Sequence, residues 1–193
     1  MVFCAFGSQI NLQNEEFQEL VLRLELSGQP FSVALTPPDE CTRVEEALPE
    51  GFQERIQGRG LLRGSWFPQE LLLCHPSIVC FVNHCGARTM WESLLSDCQI
   101  VLIPRLKDQV LNTRLIVEEL KVAVEDEKGE NSKISKQSLS KAIKLVMDKD
   151  NEISGLSKRN HAKLKNILSN RDLQEEYINN IIKDVLIKNM YEY

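Results

Sequence analysis

The chain has 193 residues, 42% of them hydrophobic and 26% charged, the balance of an ordinary soluble globular protein with one well-buried domain and room for a helical appendage. Its net charge of −5 is unevenly placed: residues 1–124 carry 10 Lys/Arg against 16 Asp/Glu, and residues 125–193 carry 13 against 12. Neither part has the basic excess that neutralises a nucleic-acid backbone, no apolar run is long enough for a membrane span, and the N-terminus lacks the pattern of a signal peptide.

Residues 2–6 form a short apolar run ending at Gly7-Ser8, which predicts a buried parallel strand opening into a tight turn. Phe17, Leu20, Val21 and Leu24 then recur at helical spacing, with Gly28 as the stop. Residues 31–35 predict a second strand, closed by Pro37-Pro38. Strand, helix, strand in that order implies a right-handed crossover and a parallel sheet. The alternation continues with a loop over 39–51, a strand beginning at Leu61-Leu62, and a short helix from Pro68 through Leu73. Residues 78–82 predict a strand, 87–95 a helix, 100–103 a strand stopped by Pro104, and 110–120 another helix. Residues 1–124 thus predict a single α/β domain, a Rossmann-like doubly wound parallel sheet.

Composition shifts after Val124. Residues 125–134 read as a charged, Gly-containing linker, and only helical patterns follow. Leu139, Ala142, Ile143 and Val146 form one apolar stripe, and Tyr177, Ile178, Ile181, Val185 and Leu186 form another. Residues 135–193 are expected to be a helical tail packing on the α/β body or on a partner domain. The six cysteines (Cys4, Cys41, Cys74, Cys80, Cys85 and Cys98) show no CxxC spacing, and several sit inside apolar runs. They read as buried reduced thiols of a cytoplasmic protein.

Rossmann-like sheets bind ligands beyond the carboxyl ends of their strands, where helix N-termini face the crevice. Two turns fit that position: Phe6-Gly7-Ser8, and the run His84-Cys85-Gly86-Ala87-Arg88-Thr89. Free amides and the helix dipole at the second turn favour a phosphate, Gly86 permits close backbone approach, and Thr89 adds a hydroxyl. Glu92 follows one helical turn later, placed to accept two hydroxyls of a ribose. Trp66 offers a face for stacking on a flat base, and Asp108 and Gln109 offer hydrogen bonds to sugar hydroxyls. Taken singly, each has a plainer reading, since a lone Trp is usually a packing residue and a lone helical Glu a solvated one.

Taken together, Trp66-Phe67-Pro68-Gln69, His75-Pro76, Phe81-Val82-Asn83-His84-Cys85-Gly86, Glu92-Ser93 and Asp108-Gln109 resemble, in type and spacing, the C-terminal signature of plant UDP-dependent glycosyltransferases. The run from Met90 to Val101 is most similar to the branch that adds a second sugar to flavonoid and anthocyanin glycosides. The resemblance implies the C-terminal, donor-binding half of a two-domain GT-B type enzyme. By position, Trp66 would stack on uracil and Gln69 would hold the uridine. Glu92 would bind the ribose hydroxyls, Ser8, His84, Gly86 and Thr89 would meet the diphosphate, and Asp108 and Gln109 would hold the transferred sugar. It further implies an inverting, metal-independent displacement with a UDP-sugar as donor substrate and no cofactor. The catalytic base would belong to an N-terminal half that no region here matches, so self-association or pairing with such a half is expected.

Three positions depart from the pattern: Val79 where Gly is usual, Ala87 where an aromatic is common, and Arg88 where Asn or Gly is usual. A guanidinium beside the expected diphosphate would clamp it, block the site, or point to solvent. A zinc site built from Cys74, His75, Cys80, His84 and Cys85 is disfavoured. Cys80 and His84 on an extended strand stand about 13 Å apart, whereas zinc ligands lie within about 2.3 Å of one ion. A nicotinamide-binding domain lacks its GxGxxG turn. The remaining alternative is a truncated or degenerate, non-catalytic UDP-binding or interaction module, which a Met directly before the first strand fits.

Overall fold

The computed structural model describes residues 1–7, 10–64, 67–126 and 137–190, the side chains of 184–190 excepted. Six strands, β1 (Val2–Ala5), β2 (Phe31–Ala34), β3 (Gly60–Arg63), β4 (Cys80–Asn83), β5 (Gln99–Leu102) and β6 (Ala123–Glu125), form one all-parallel sheet in the order β3-β2-β1-β4-β5-β6. Val2 stands opposite Phe31 on one side and Cys80 on the other, so β1 is the centre from which the sheet is wound in both directions. The helices are α1 (Asn14–Leu26), α2 (Phe52–Arg55), α3 (Gln69–Leu73), α4 (Ala87–Leu95), α5 (Lys107–Arg114), α6 (Ser138–Met147), α7 (Glu152–Leu168) and α8 (Arg171–Met190). A single-turn 3-10 segment, Val44–Ala47, lies in the region expected as loop, and a π turn, Leu115–Glu119, extends α5. Among the described residues, no helix is long and apolar enough to cross a membrane.

The central strands are apolar on both faces because each face carries its own core. Val2 and Cys4 point into a cluster with Phe17, Leu20 and Leu24 of α1 and with Leu139 and Ile143 of α6. Phe3 and Ala5, one residue out of phase, join Leu73, Ile78 and Phe81 on the opposite face. There the Phe3 and Phe81 rings stack at 5.2 Å. A third cluster gathers Leu94 of α4, Ile100 and Leu102 of β5, and Ile116. This division follows from the period-2 alternation of a strand buried by helices on both sides. All six cysteines are free, and burial pushes the thiols of Cys85 and Cys98 up to about 11 and holds those of Cys4 and Cys80 higher still.

Two elements differ from the sequence-based expectation. β6 was not predicted, and it reaches Glu125, the first residue of the expected linker. Its next residue, Asp126, is buried in an ion pair with Arg23 of α1. A charged residue in a charged run reads as solvated, and only its distant partner makes it an interior one. The stripe on α6 is buried against the α/β body, the first of the two packings expected for the tail. α7 separates the two predicted tail helices. Its polar surface hides the small contact face formed by Ser154, Ser157 and His161. Residues 127–136 lie outside the described residues.

Candidate functional site

The strand order reverses between β1 and β4, so the loops leaving their carboxyl ends diverge and open a crevice there. A cavity of about 460 Å³ occupies it, bounded by Ala5 and Gly7 of β1 and its turn, Thr36 beyond β2, Phe67, Gln69 and Glu70 around α3, and Arg88, Thr89 and Glu92 of α4. Of the residues singled out in the sequence, Gln69, Arg88, Thr89 and Glu92 therefore share one cavity. Ser8 and Trp66 lie outside the described residues.

The turn after β4 is built by Asn83, a side chain to which the sequence alone assigns no role. Asn83 is fully buried, its Oδ1 accepting from the Cys85 amide at 2.8 Å and its Nδ2 donating to Ser93 Oγ at 3.2 Å. Ser93 in turn donates to the Thr89 carbonyl at 2.6 Å, and Asn112 Nδ2 donates to the Cys85 carbonyl at 3.0 Å. These bonds hold Cys85 at φ +60°, a conformation few non-glycine residues adopt without such support. The readable signal was an Asn closing a strand three residues before a Gly. Gly86 then caps α4 without a side-chain hydrogen bond, and the first intrahelical bond runs from the Met90 amide to the Gly86 carbonyl at 2.7 Å. The amides of Ala87, Arg88 and Thr89 thus have no partner within the helix, which favours an anion in front of them.

His84 lies between the two glycine turns. Its ring is 6.2 Å from that of Phe6, and a Cβ added to Gly86 would sit 2.5 Å from its Nε2. A Cβ on Gly7 would sit 3.3 Å from Cε1. Burial lowers the imidazole's pKa below its ordinary value, opposed by the Asp108 carboxylate and the Ala5 backbone. Nδ1 is buried without a partner at hydrogen-bond geometry among the described residues. The imidazole is therefore wedged between the Gly7 and Gly86 turns, with burial favouring its neutral form.

Polar side chains fix the rest. Gln69 Nε2 donates to Glu92 Oε2, and Arg88 Nε donates to Glu92 Oε1 at 2.7 Å. The Arg88 guanidinium also lies 3.5 Å from Glu70 Oε1. Asp108 is exposed at the start of α5 on the His84 side. Gln109 is buried, with Oε1 accepting from the amides of Arg105 and Leu106 at 2.9 and 3.1 Å. Its carbonyl oxygen is committed to the helix start, and its amide nitrogen makes no hydrogen bond among the described residues. The other two histidines are remote: His75 accepts from the Ser77 amide, and His161 contacts the Leu94 carbonyl from α7.

Residues 6–174 match the model of the family described as UDP-glucoronosyl and UDP-glucosyl transferase. UDP-glycosyltransferase 79B2 of Arabidopsis thaliana is 54% identical over 185 residues, which cover 96% of this chain and 41% of the relative. Phytolacca americana UGT2, solved with UDP-2fluoro-glucose and pterostilbene, superposes with a TM-score of 0.82 at 27% identity over 95% of this chain and 41% of its own. An anthocyanidin 3-O-glucosyltransferase solved with UDP superposes with a TM-score of 0.74 at 29% identity, over 86% of this chain and 35% of its own. The chain thus spans about 41% of the length of the curated relatives it matches.

Proposed function

Because the chain belongs to the UDP-glucoronosyl and UDP-glucosyl transferase family, we propose that it is the donor-binding part of a plant enzyme that moves a hexose or pentose from a UDP-sugar to a hydroxyl of a flavonoid or anthocyanin glycoside. The observation that carries this reading is the crevice at the β1/β4 switch point, lined by Gln69, Glu92 and the first-turn residues Arg88 and Thr89 of α4, with His84 packed beside it against the Gly7 and Gly86 turns. Amides, a hydrogen-bond donor and a carboxylate at that spacing suit a diphosphate joined to a diol. The family resemblance supplies the same assignment, with Trp66 on uracil, Gln69 and Glu92 on the uridine, Ser8, His84 and Thr89 at the diphosphate, and Asp108 and Gln109 at the sugar.

In the proposed reaction the acceptor oxygen attacks the anomeric carbon from the face opposite the leaving group. The carbon–oxygen bond to UDP breaks with its electron pair on the diphosphate, and configuration inverts. The α4 amides and His84 stabilise that growing charge, which is preorganised electrostatic catalysis. The acceptor's proton must pass to a base within hydrogen-bond reach. His84 is wedged between Gly7 and Gly86 on the donor side, so the base is assigned to a separate N-terminal half.

UDP titrated into the chain is expected to quench tryptophan fluorescence, and Trp66→Ala is expected to abolish the response although Trp91 remains. Base–aromatic stacking of this kind contributes about 1–3 kcal/mol, so the variant should also bind UDP at least several-fold more weakly. A flat wild-type titration up to millimolar UDP would exclude the donor site.

A further inference from the structure

α5 is held differently at its two ends. Its far end runs into the π turn, where Ile116 is buried in the third apolar cluster. The buried residues of α5 itself are Gln109 and Thr113, both polar, and Leu111 on its outer face is 73% exposed. The end that carries Asp108 and Gln109 is therefore placed by polar contacts rather than by a core. Gln109 commits its carbonyl oxygen to the amides of Arg105 and Leu106, inside the helix's own cap. Arg105 pairs with Glu16, which ties the loop before α5 to α1 and not to the turn after β4. Contact with that turn runs along one strip of α5. Asp108 and Asn112 are one helical turn apart and so share a face. The Asp108 carboxylate acts on the His84 imidazole, and Asn112 Nδ2 donates to the Cys85 carbonyl at 3.0 Å. The buried Thr113 stands beside the Cys85 thiol. An exposed carboxylate acts on an imidazole through distance alone, whereas the Asn112 bond fixes both distance and direction.

We propose that Asn112 is a positioning residue for the sugar end of the donor site: its bond to the Cys85 carbonyl sets where the first turn of α5, with Asp108 and Gln109, stands relative to the turn after β4. This rests on the donor-site reading above and deepens it. The nucleotide end is built on α3, α4 and the turn after β4, and the sugar end on α5. A ligand that spans both needs the two parts in register to within about 0.5 Å. A ligand that ends at the diphosphate does not. Asn112 thereby governs how well the site distinguishes a nucleoside diphosphate that carries a sugar from one that does not, without touching either ligand.

The test is calorimetric titration of the 193-residue chain and its Asn112→Ala variant with UDP and with UDP-glucose. The ratio of UDP-glucose to UDP affinity is expected to fall about fivefold, the scale of one lost neutral hydrogen bond. Because Asn112 acts through the start of α5, the same substitution made in Asp108→Ala should lower the ratio by only about twofold, Gln109 remaining to be misplaced. Should Asn112→Ala lose UDP as well, the same ratio is read on Asn112→Ser, whose shorter side chain leaves the Cys85 carbonyl out of reach. An unchanged ratio, or an equal fall with and without Asp108, would overturn the positioning role and leave the donor site standing. Wild type that binds UDP and not UDP-glucose would do the same, and wild type that binds neither would overturn the donor site as well.

Discussion

Gly86 is the tightest point of the site, and the reason is a side chain rather than the backbone. Its φ and ψ of −66° and 152° suit any residue, so the need for glycine comes from the 2.5 Å that a Cβ would leave to His84 Nε2. Gly86→Ala is expected to fold and to push the imidazole off its place, weakening UDP about tenfold, or about 1.4 kcal/mol. Calorimetric titration checks this, and unchanged affinity would remove His84 from the donor contacts. The Arg23–Asp126 pair is a residue-scale feature of stability instead. Both side chains are nearly inaccessible, Arg23 also donates to Ser138 Oγ at 2.6 Å, and Arg23 Nε and Asp126 Oδ1 are without partners among the described residues. Asp126→Asn should cost about 3–5 kcal/mol in urea melts by leaving a buried guanidinium uncompensated. The double change Arg23→Met with Asp126→Leu should recover most of it, and a double variant as unstable as the single one would refute the electrostatic account.

At the scale of elements, the strands that carry an apolar run are legible in the sequence, the half-exposed β3 at Leu61-Leu62 among them. β1, β2, β4 and β5 are apolar runs stopped by Gly or Pro, and period alone placed them to within two residues. β6 and α7 were not legible, because three residues of edge strand and a helix with a face of Ser154, Ser157 and His161 carry no hydrophobic period. The candidate site divides in the same way. The spacing of Arg88 and Glu92 on one helix face could be read directly, whereas the Asn83–Ser93–Thr89 and Asn112–Cys85 bonds that shape the turn join residues whose meeting only the fold decides. α7 docks on α4 through His161, whose Nε2 lies 3.1 Å from the Leu94 carbonyl, and on the turn after α4 through Lys165 and Asp97 at 2.7 Å. Burial lowers the pKa of His161 and likewise that of His84. With folded values below the ordinary 6.5, the unfolded chain binds protons more readily, so stability is full above pH 6.5 and falls as pH drops through that value. Each histidine contributes at most about 1.4 kcal/mol per pH unit. Thermal melts between pH 7.5 and 5 should show this decline, and His161→Gln, which keeps a donor for Leu94, should make it shallower. A slope equal to wild type would mean that His161 is not the group responsible.

For the molecule as a whole, the distribution of apolar surface matters more than its amount. The sheet and α6 share buried cores, but every described side chain of α8 from residue 171 to 183 is exposed, Tyr177, Ile178, Ile181 and Ile182 among them at 50–67%. Contiguous apolar surface of that kind marks a contact with another body. In the proposed two-domain enzyme that body is the N-terminal half, which also carries the base. Without it, α8 should pair with α8 of a second copy. Light scattering after size exclusion is therefore expected to show concentration-dependent dimers or larger species, and deletion of residues 171–193 should return the chain to monomer without altering its fluorescence response to UDP, since the cavity lies at the other helices. The same separation of roles predicts no sugar transfer from UDP-glucose to a flavonoid glycoside by this chain alone, because stabilising the leaving diphosphate does not generate the nucleophile. Robust turnover by the chain alone would place a base within residues 1–193 and end the division of labour argued here. A chain that stays monomeric at all concentrations would instead detach α8 from any role in holding two bodies together.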